Sequence, residues 1–303
     1  MSILFLDKII NKYNDLDFSE KLHLPLMKSK KTGHASVLDQ FYTSPIIAQE
    51  CINRLNRAVP AARRKYFLEP SAGTGSFSSQ LENCVSVDLD PKFPGVIRSD
   101  FLILRKEDLF SSDKSQNEIC VIGNPPFGKN SSLAVKFFNH ASKIGNTIAF
   151  IVPKTFRKQS LHNKINLNFW NILDIDIPRN SFIYEDQAYD VPCCFQIWVR
   201  RKETRPVIKY QESSYLRFVK KSEADFAVRR VGGTTGKAHL DFKECAEVSH
   251  YFLKVIDSKM KKTELVRIIN QLDFSNEANS TAGVRSISKM EFMAKLNQAL
   301  GKD

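Results

Sequence analysis

The chain has 303 residues, 42% of them hydrophobic, and 45 Lys and Arg against 33 Asp and Glu give it a formal charge of +12. This is enough apolar material for one large core, or one core with a small appendage. No run of 18 or more apolar residues is present, which argues against a membrane span. The opening MSILFLDKII is too short and too soon charged for a secretory signal.

The six cysteines form no CxxC pair and have no His at metal spacing, so the reading is reduced thiols in a cytoplasmic protein without a metal site. Adjacent Cys193 and Cys194 lie in an apolar stretch that fits buried packing. The basic balance suits a polyanionic partner, since each phosphate contacted by Lys or Arg releases counterions. Solubility alone is the competing explanation.

Residues 1–38 are polar with scattered apolar positions and read as a lead-in. From 39 to 201, short apolar runs alternate with helical periodicity, the pattern of an α/β domain with a mostly parallel sheet. Strands are expected at 66–68, 85–89, 119–122, 147–152 and 194–199, and helices at 45–58, 76–82 and 132–144. Residues 202–303 form a smaller region with weaker strand signals and expected helices at 245–258, 262–271 and 288–300. From 201 onward the chain carries seven more basic than acidic residues.

Three segments carry chemistry. In Leu68-Glu69-Pro70-Ser71-Ala72-Gly73-Thr74-Gly75, a strand runs into a turn whose glycines let the backbone bend and approach a ligand. Glu69 would stand at the strand edge, facing a cationic amino-acid moiety. At Val87-Asp88-Leu89-Asp90-Pro91, Asp88 ends the second strand, where a carboxylate accepts ribose hydroxyls. An acid that caps the following turn fits Asp90 better than Asp88. Asp100 is placed to hold an adenine amine, with Phe101 beside the ring.

The third segment is Gly123-Asn124-Pro125-Pro126-Phe127, at the end of the buried run 119–122. Two prolines stiffen the chain just beyond the strand. Such a segment presents the Asn124 side-chain oxygen, the Pro125 carbonyl and the Phe127 ring together. Two carbonyl-type acceptors suit an exocyclic amine, drawing its two N–H groups so that its lone pair points at an electrophile. No general base of unusual pKa is required, because a sulfonium leaving group drives such a transfer and positioning supplies much of the rest.

These motifs, in this order, resemble the Rossmann-like amino-methyltransferases of the N6-adenine group, over roughly residues 39–201. The Asn124-Pro125-Pro126-Phe127 tetrapeptide is similar to that family's catalytic motif. The segment Asp39-Gln40-Phe41-Tyr42-Thr43-Ser44-Pro45 is similar to its upstream stretch over the methionine end of the cofactor. The resemblance implies a doubly wound, mostly parallel sheet ending in an antiparallel hairpin over 178–198, with a small C-terminal region.

It also implies S-adenosylmethionine as cofactor, held by Phe41, Tyr42, Thr43, Pro45, Glu69, Ser71, Gly73, Gly75, Asp88, Leu89, Asp100, Phe101 and Asn124. The order of motifs resembles the γ-type DNA adenine enzymes. Phe127 departs from the Tyr of many DNA enzymes, and Phe also occurs in relatives acting on RNA. Phe182, with Tyr184 in reserve, is the expected aromatic for stacking on an extruded base.

The expected function is therefore methyl transfer to N6 of adenine in nucleic acid, DNA favoured over RNA. The alternatives are methylation of a protein glutamine amide, which presents the same NH2, and an inactive nucleic-acid-binding subunit on the same fold. Arg229, Arg230 and Lys237, in the Gly-rich stretch 226–237, are candidate phosphate contacts. This stretch is not a P-loop, since Val231 stands where the first glycine should and Ala238 replaces Ser or Thr. Lys28, Lys30, Lys31, Arg63, Arg64 and Lys65 read as solvated charge. The short C-terminal region predicts modest sequence specificity or reliance on a partner subunit for target recognition.

Overall fold

A computed structural model describes residues 41–61, 64–111, 119–184, 187–281 and 283–301. The expected lead-in over 1–38, with Lys28, Lys30 and Lys31, lies outside these residues, as do Asp39, Gln40 and Arg63. The described chain falls into two compact units, one ending at Pro206 and the next beginning at Val207.

The first unit opens with β1 (Tyr42–Thr43) and α1 (Pro45–Ala58), followed by β2 (Tyr66–Glu69), β3 (Cys84–Asp88) and β4 (Ile97–Arg98). A short α2 (Lys106–Leu109), β5 (Ile119–Gly123), α3 (Ser132–Ile144), β6 (Thr147–Pro153) and α4 (Gln159–His162) come next. The unit ends with β7 (Phe169–Asp176), β8 (Phe182–Tyr184), β9 (Gln187–Tyr189) and β10 (Cys193–Arg200). Seven of these strands form one sheet in the order β4-β3-β2-β5-β6-β10-β7. The pairings among β2 to β6 are parallel, and β10 runs antiparallel between β6 and β7.

Alternation along the central strands explains why both faces are covered. In β6, Ile148, Phe150 and Val152 join one core while Ala149 and Ile151 join the other. Helix α1 buries Ile47, Ala48, Cys51, Ile52 and Leu55 against the second of these faces. Helix α3 buries Phe137, Phe138, Ala141 and Ile144 against the first. Apolar spacings of three and four residues build each helical stripe. The result is the doubly wound α/β layering expected from the sequence.

Three details differ from that expectation. Strand β7 is absent from the expected set, and it rather than residues near 178 is the antiparallel partner of β10. The β8–β9 hairpin leaves the main sheet and joins a three-stranded sheet with β1, so Tyr42 pairs with Ile183 and Thr43 with Phe182. The helix expected over 76–82 shrinks to a single 3-10 turn, Ser78–Gln80. Serines favour such turns and caps over helix interiors.

The second unit is an antiparallel sheet of β11 (Leu216–Phe218), β12 (Phe226–Arg229), β13 (Ala238–His239) and β14 (His250–Val255), ordered β11-β14-β12-β13. It packs with α5 (Lys262–Gln271), α6 (Ser275–Asn279) and α7 (Lys289–Ala299) through Phe226, Leu253, Leu265, Ile269 and Phe292. The helix expected over 245–258 is overturned, because β14 occupies its centre. Pairing on both edges, with β11 and β12, decides the conformation of the run His-Tyr-Phe-Leu-Lys-Val. No helix among the described residues is long and apolar enough to cross a membrane.

Candidate active site

The site lies at the C-terminal edge of the parallel strands, where open α/β sheets bind ligands. Strand β2 delivers Glu69, only 2% exposed, and the chain then turns through Pro70 to Ser76. Gly73 (φ +49°) and Gly75 (φ +74°) occupy left-handed backbone that side-chain-bearing residues rarely adopt. A Cβ on Gly73 would stand 2.7 Å from the Tyr42 ring, and one on Gly75 would stand 2.5 Å from the ring of Phe93. The turn is thus held under two aromatic side chains, and Phe93 was not among the residues singled out from sequence.

Glu69 Oε2 accepts a hydrogen bond from the Ser78 N–H at 2.8 Å. Burial nevertheless pushes its carboxyl from 4.5 to about 7, with hydrogen bonds from Ser78 and Phe77 opposing the rise and the charge of Asp88 adding to it. Asp88, at the end of β3, clamps the turn. Its Oδ2 accepts from Gly73 N at 2.8 Å and its Oδ1 from Asp90 N at 2.7 Å. Leu89 beside it is 60% exposed. Asp90 pairs with Lys92 at 2.6 Å, and that hydrogen bond holds its carboxyl below the usual range.

Asp100 caps a 3-10 turn by accepting from Leu102 N at 2.9 Å. Phe101 is 2% exposed and packs against Phe137 and edge-on against His140. It lies inside the core, whereas a ring lying along a bound base would need an open face.

Asn124 emerges from β5. Its Nδ2 donates to the Phe41 carbonyl at 2.9 Å, and its own carbonyl accepts from Ser71 Oγ at 3.0 Å. Its Oδ1 is buried without a hydrogen-bond partner. The upstream residues are tied in as well: Thr43 O accepts from Ser76 Oγ at 2.6 Å, and Pro45 O accepts from Gln80 Nε2 at 3.0 Å. A cavity of about 20 Å3 lies among Phe41, Tyr42, Thr43, Glu69, Ser71 and Asn124. One small space therefore gathers the upstream segment, the acid before the glycine turn and the tetrapeptide's Asn.

Pro125 is buried and Pro126 half-buried. The Phe127 side chain is 9% exposed and belongs to the core cluster with Ile122, Ile177 and Phe182. Its carbonyl accepts from Leu133 N and Ala134 N, capping the start of α3. Phe182, the expected stacking aromatic, is 1% exposed in the same cluster, while Ile183 beside it is 37% exposed. Both rings are packing residues in this structure, and neither stands open to a base. Tyr184 ends β8, and its side chain lies outside the described residues.

The basic candidates belong to the second unit. Arg229 Nε donates to the Val231 carbonyl at 2.7 Å, and Lys237 Nζ to the Asn270 carbonyl at 3.4 Å. The Arg230 guanidinium lies 5.3 Å from the Tyr251 ring centre. Among the described residues no group of three or more His, Cys, Asp or Glu could hold a metal. All six cysteines are free, and burial drives the Cys193 and Cys194 thiols well above their usual range.

No family model matches this chain, and no curated protein matches it. Among solved structures it is similar to a Listeria monocytogenes protein assigned as a class I S-adenosylmethionine-dependent methyltransferase, at 15% identity and a TM-score of 0.42. That match covers 57% of this chain and 65% of the other, so the chain spans just under two thirds of that protein's length. It is also similar to a Pyrococcus horikoshii protein assigned as an RNA methyltransferase, at 17% identity and a TM-score of 0.38, over 66% of this chain and 98% of that one. A third similar structure is the 23S rRNA methyltransferase ErmE, at 17% identity and a TM-score of 0.35, covering 55% and 72% of the two chains.

Proposed function

We propose that this chain is an S-adenosylmethionine-dependent methyltransferase acting on the exocyclic N6 amine of adenine in nucleic acid, with DNA favoured over RNA. One observation carries the reading: the buried side-chain oxygen of Asn124 has no partner, although the same amide donates from Nδ2 to Phe41. An unsatisfied buried acceptor costs about 1–3 kcal/mol. An amine N–H arriving at this oxygen would recover that cost, and the Phe41 carbonyl keeps the amide turned so that the oxygen is the group on offer.

The surrounding residues fit the cofactor in kind. Glu69 offers a buried carboxylate for a cationic amino group, and Asp88 a half-buried one for hydroxyls. Each Asp88 oxygen accepts one backbone N–H and retains acceptor capacity. The bound cofactor would supply the methyl group from its sulfonium. Asn124 Oδ1 and the Pro125 carbonyl would accept hydrogen bonds from the two amine N–H groups and turn the nitrogen lone pair toward that carbon. An N–C bond would replace the S–C bond, and the methylated nitrogen would then release one proton to solvent. The rigid Pro125-Pro126 pair limits reorganisation while they do so. The excess of basic residues supports a polyanionic substrate over a protein amide.

The test is incubation with cofactor and duplex DNA, single-stranded DNA or RNA, followed by nucleoside mass spectrometry. N6-methyladenine or its ribonucleoside is expected with the natural chain and is expected to vanish with Asn124→Ala. Methyl transfer to protein alone would refute the proposal.

A further inference from the structure

The second unit holds a cleft that the methyl-transfer reading does not use. Its volume is about 820 Å3, and its walls include Tyr210, Arg217, Phe218, Ile256, Lys289 and Met290. This lies within the span of about 300–1,000 Å3 typical of ligand clefts. Strand β11, which contributes Arg217 and Phe218, is the edge of its sheet.

The chemistry of the walls is aromatic and cationic together. Tyr210 is 40% exposed, and its ring centre lies 6.4 Å from that of Phe218 at an angle of 42°. Phe218 meets Tyr251 edge-on at 5.1 Å. Lys289 Nζ sits 4.6 Å from the Phe218 ring centre and 6.0 Å from that of Tyr251. Arg230 approaches Tyr251 as well, and its buried Nε has no hydrogen-bond partner.

Charge balance narrows the occupant. Among the described residues, no carboxylate lies within 4 Å of the cationic groups of Arg217, Arg230 or Lys289. Lys295, by contrast, is matched by Glu277 at 2.8 Å. Glu212 is the acid on the cleft wall. An extended peptide added to β11 would require apolar pockets for alternate side chains. Rings interleaved with unmatched cations instead suit bases that stack and phosphates that need neutralising, the combination used by single-strand binders.

We propose that this cleft binds an unpaired polynucleotide strand, with Tyr210 and Phe218 stacking on bases and Arg217 and Lys289 meeting the backbone. This inference rests on the nucleic-acid reading above and deepens it by naming a single strand as what the second unit holds.

The test uses the full chain and fluorescent twelve-residue oligothymidylate and oligouridylate, with a hairpin duplex alongside, read by anisotropy across a salt series. Tyr210→Ala is expected to weaken binding of one or both single strands about tenfold. Arg217→Gln combined with Lys289→Gln is expected to lower the salt slope by about 0.7 per cation removed. Irradiated oligomers carrying 5-iodouracil should cross-link to Tyr210 or Phe218. Unchanged single-strand affinity in all these variants, a loss confined to the duplex, or cross-links only outside the cleft would overturn the inference. Adenine methylation by the natural chain alongside any of those results leaves the chemistry standing and removes the cleft. Strand binding lost through the cleft variants, in a chain that methylates no nucleic acid, removes the chemistry and supports the cleft.

Discussion

Replacing Glu69 with Gln should change how folding stability depends on pH, and the structure sets the size of the effect. Glu69 is 2% exposed, and burial raises its carboxyl pKa from 4.5 to about 7. At about 1.4 kcal/mol per pKa unit, that corresponds to about 3 kcal/mol. The folded state holds the proton more tightly than the unfolded chain. The stabilising contribution is therefore complete below pH 4.5 and is lost as pH rises through about 7.

The side chain introduced by Glu69→Gln would keep an acceptor for the Ser78 N–H without ever carrying charge. The variant should match the natural chain near pH 4.5 and exceed it by up to about 3 kcal/mol at pH 8. Urea unfolding of both chains at several pH values measures this directly. Taking the difference between them cancels other titrating groups, such as His162, whose burial lowers its pKa to about 4 and whose pH trend is opposite. Stability curves that run parallel from pH 4.5 to 8 would refute the reasoning. The same comparison bears on function, because a neutral amide in place of the Glu69 carboxylate should weaken binding of any cationic amino group there.

Two further substitutions probe local geometry. Gly73→Ala places a methyl 2.7 Å from the Tyr42 ring at φ +49° and should destabilise the first unit by at least about 1–2 kcal/mol, seen as a lowered unfolding midpoint. An unchanged midpoint would show that the turn relaxes freely. Ser288→Ala removes the cap of α7, where Ser288 Oγ accepts from Glu291 N at 3.2 Å and Ser288 N donates to Glu291 Oε2 at 2.7 Å. A loss of about 0.5–2 kcal/mol is expected by thermal unfolding, with Ser288→Thr retaining most of the stability.

The first unit was legible because its signals are local and strong. The run Ile-Cys-Val-Ile of β5, buried on both faces, and the glycine turn after β2 announce themselves without tertiary context. Phe41, Glu69 and Asn124, singled out from three separate stretches of the chain, line one cavity in the structure. Burial of individual rings was not legible. Phe101, Phe127 and Phe182 look alike in sequence whether they pack or stack, and only the contacts made by α1, α3 and β10 decide.

Ser78 and Phe93 were missed for a related reason. A serine that serves a carboxylate nine residues earlier, and a ring that lies over a glycine eighteen residues earlier, leave no periodic trace. In the second unit, strands of two to six residues give patterns too short to separate from helix, and non-local pairing made β14 a strand.

The small sheet formed by β1, β8 and β9 makes two distant stretches mechanically one. Residues 41–44 lie over the glycine turn, yet they are laced to the hairpin near 182 by the β1–β8 ladder and by Ser44 N donating to Ser181 O at 3.0 Å. They are also pinned from below by Asn124 and Ser76. Lifting this segment breaks those two pins, and the ladder then carries the hairpin along unless it too comes apart. Any displacement of residues 41–44 that opens the small cavity would thus have to be shared with the hairpin or break the ladder between them.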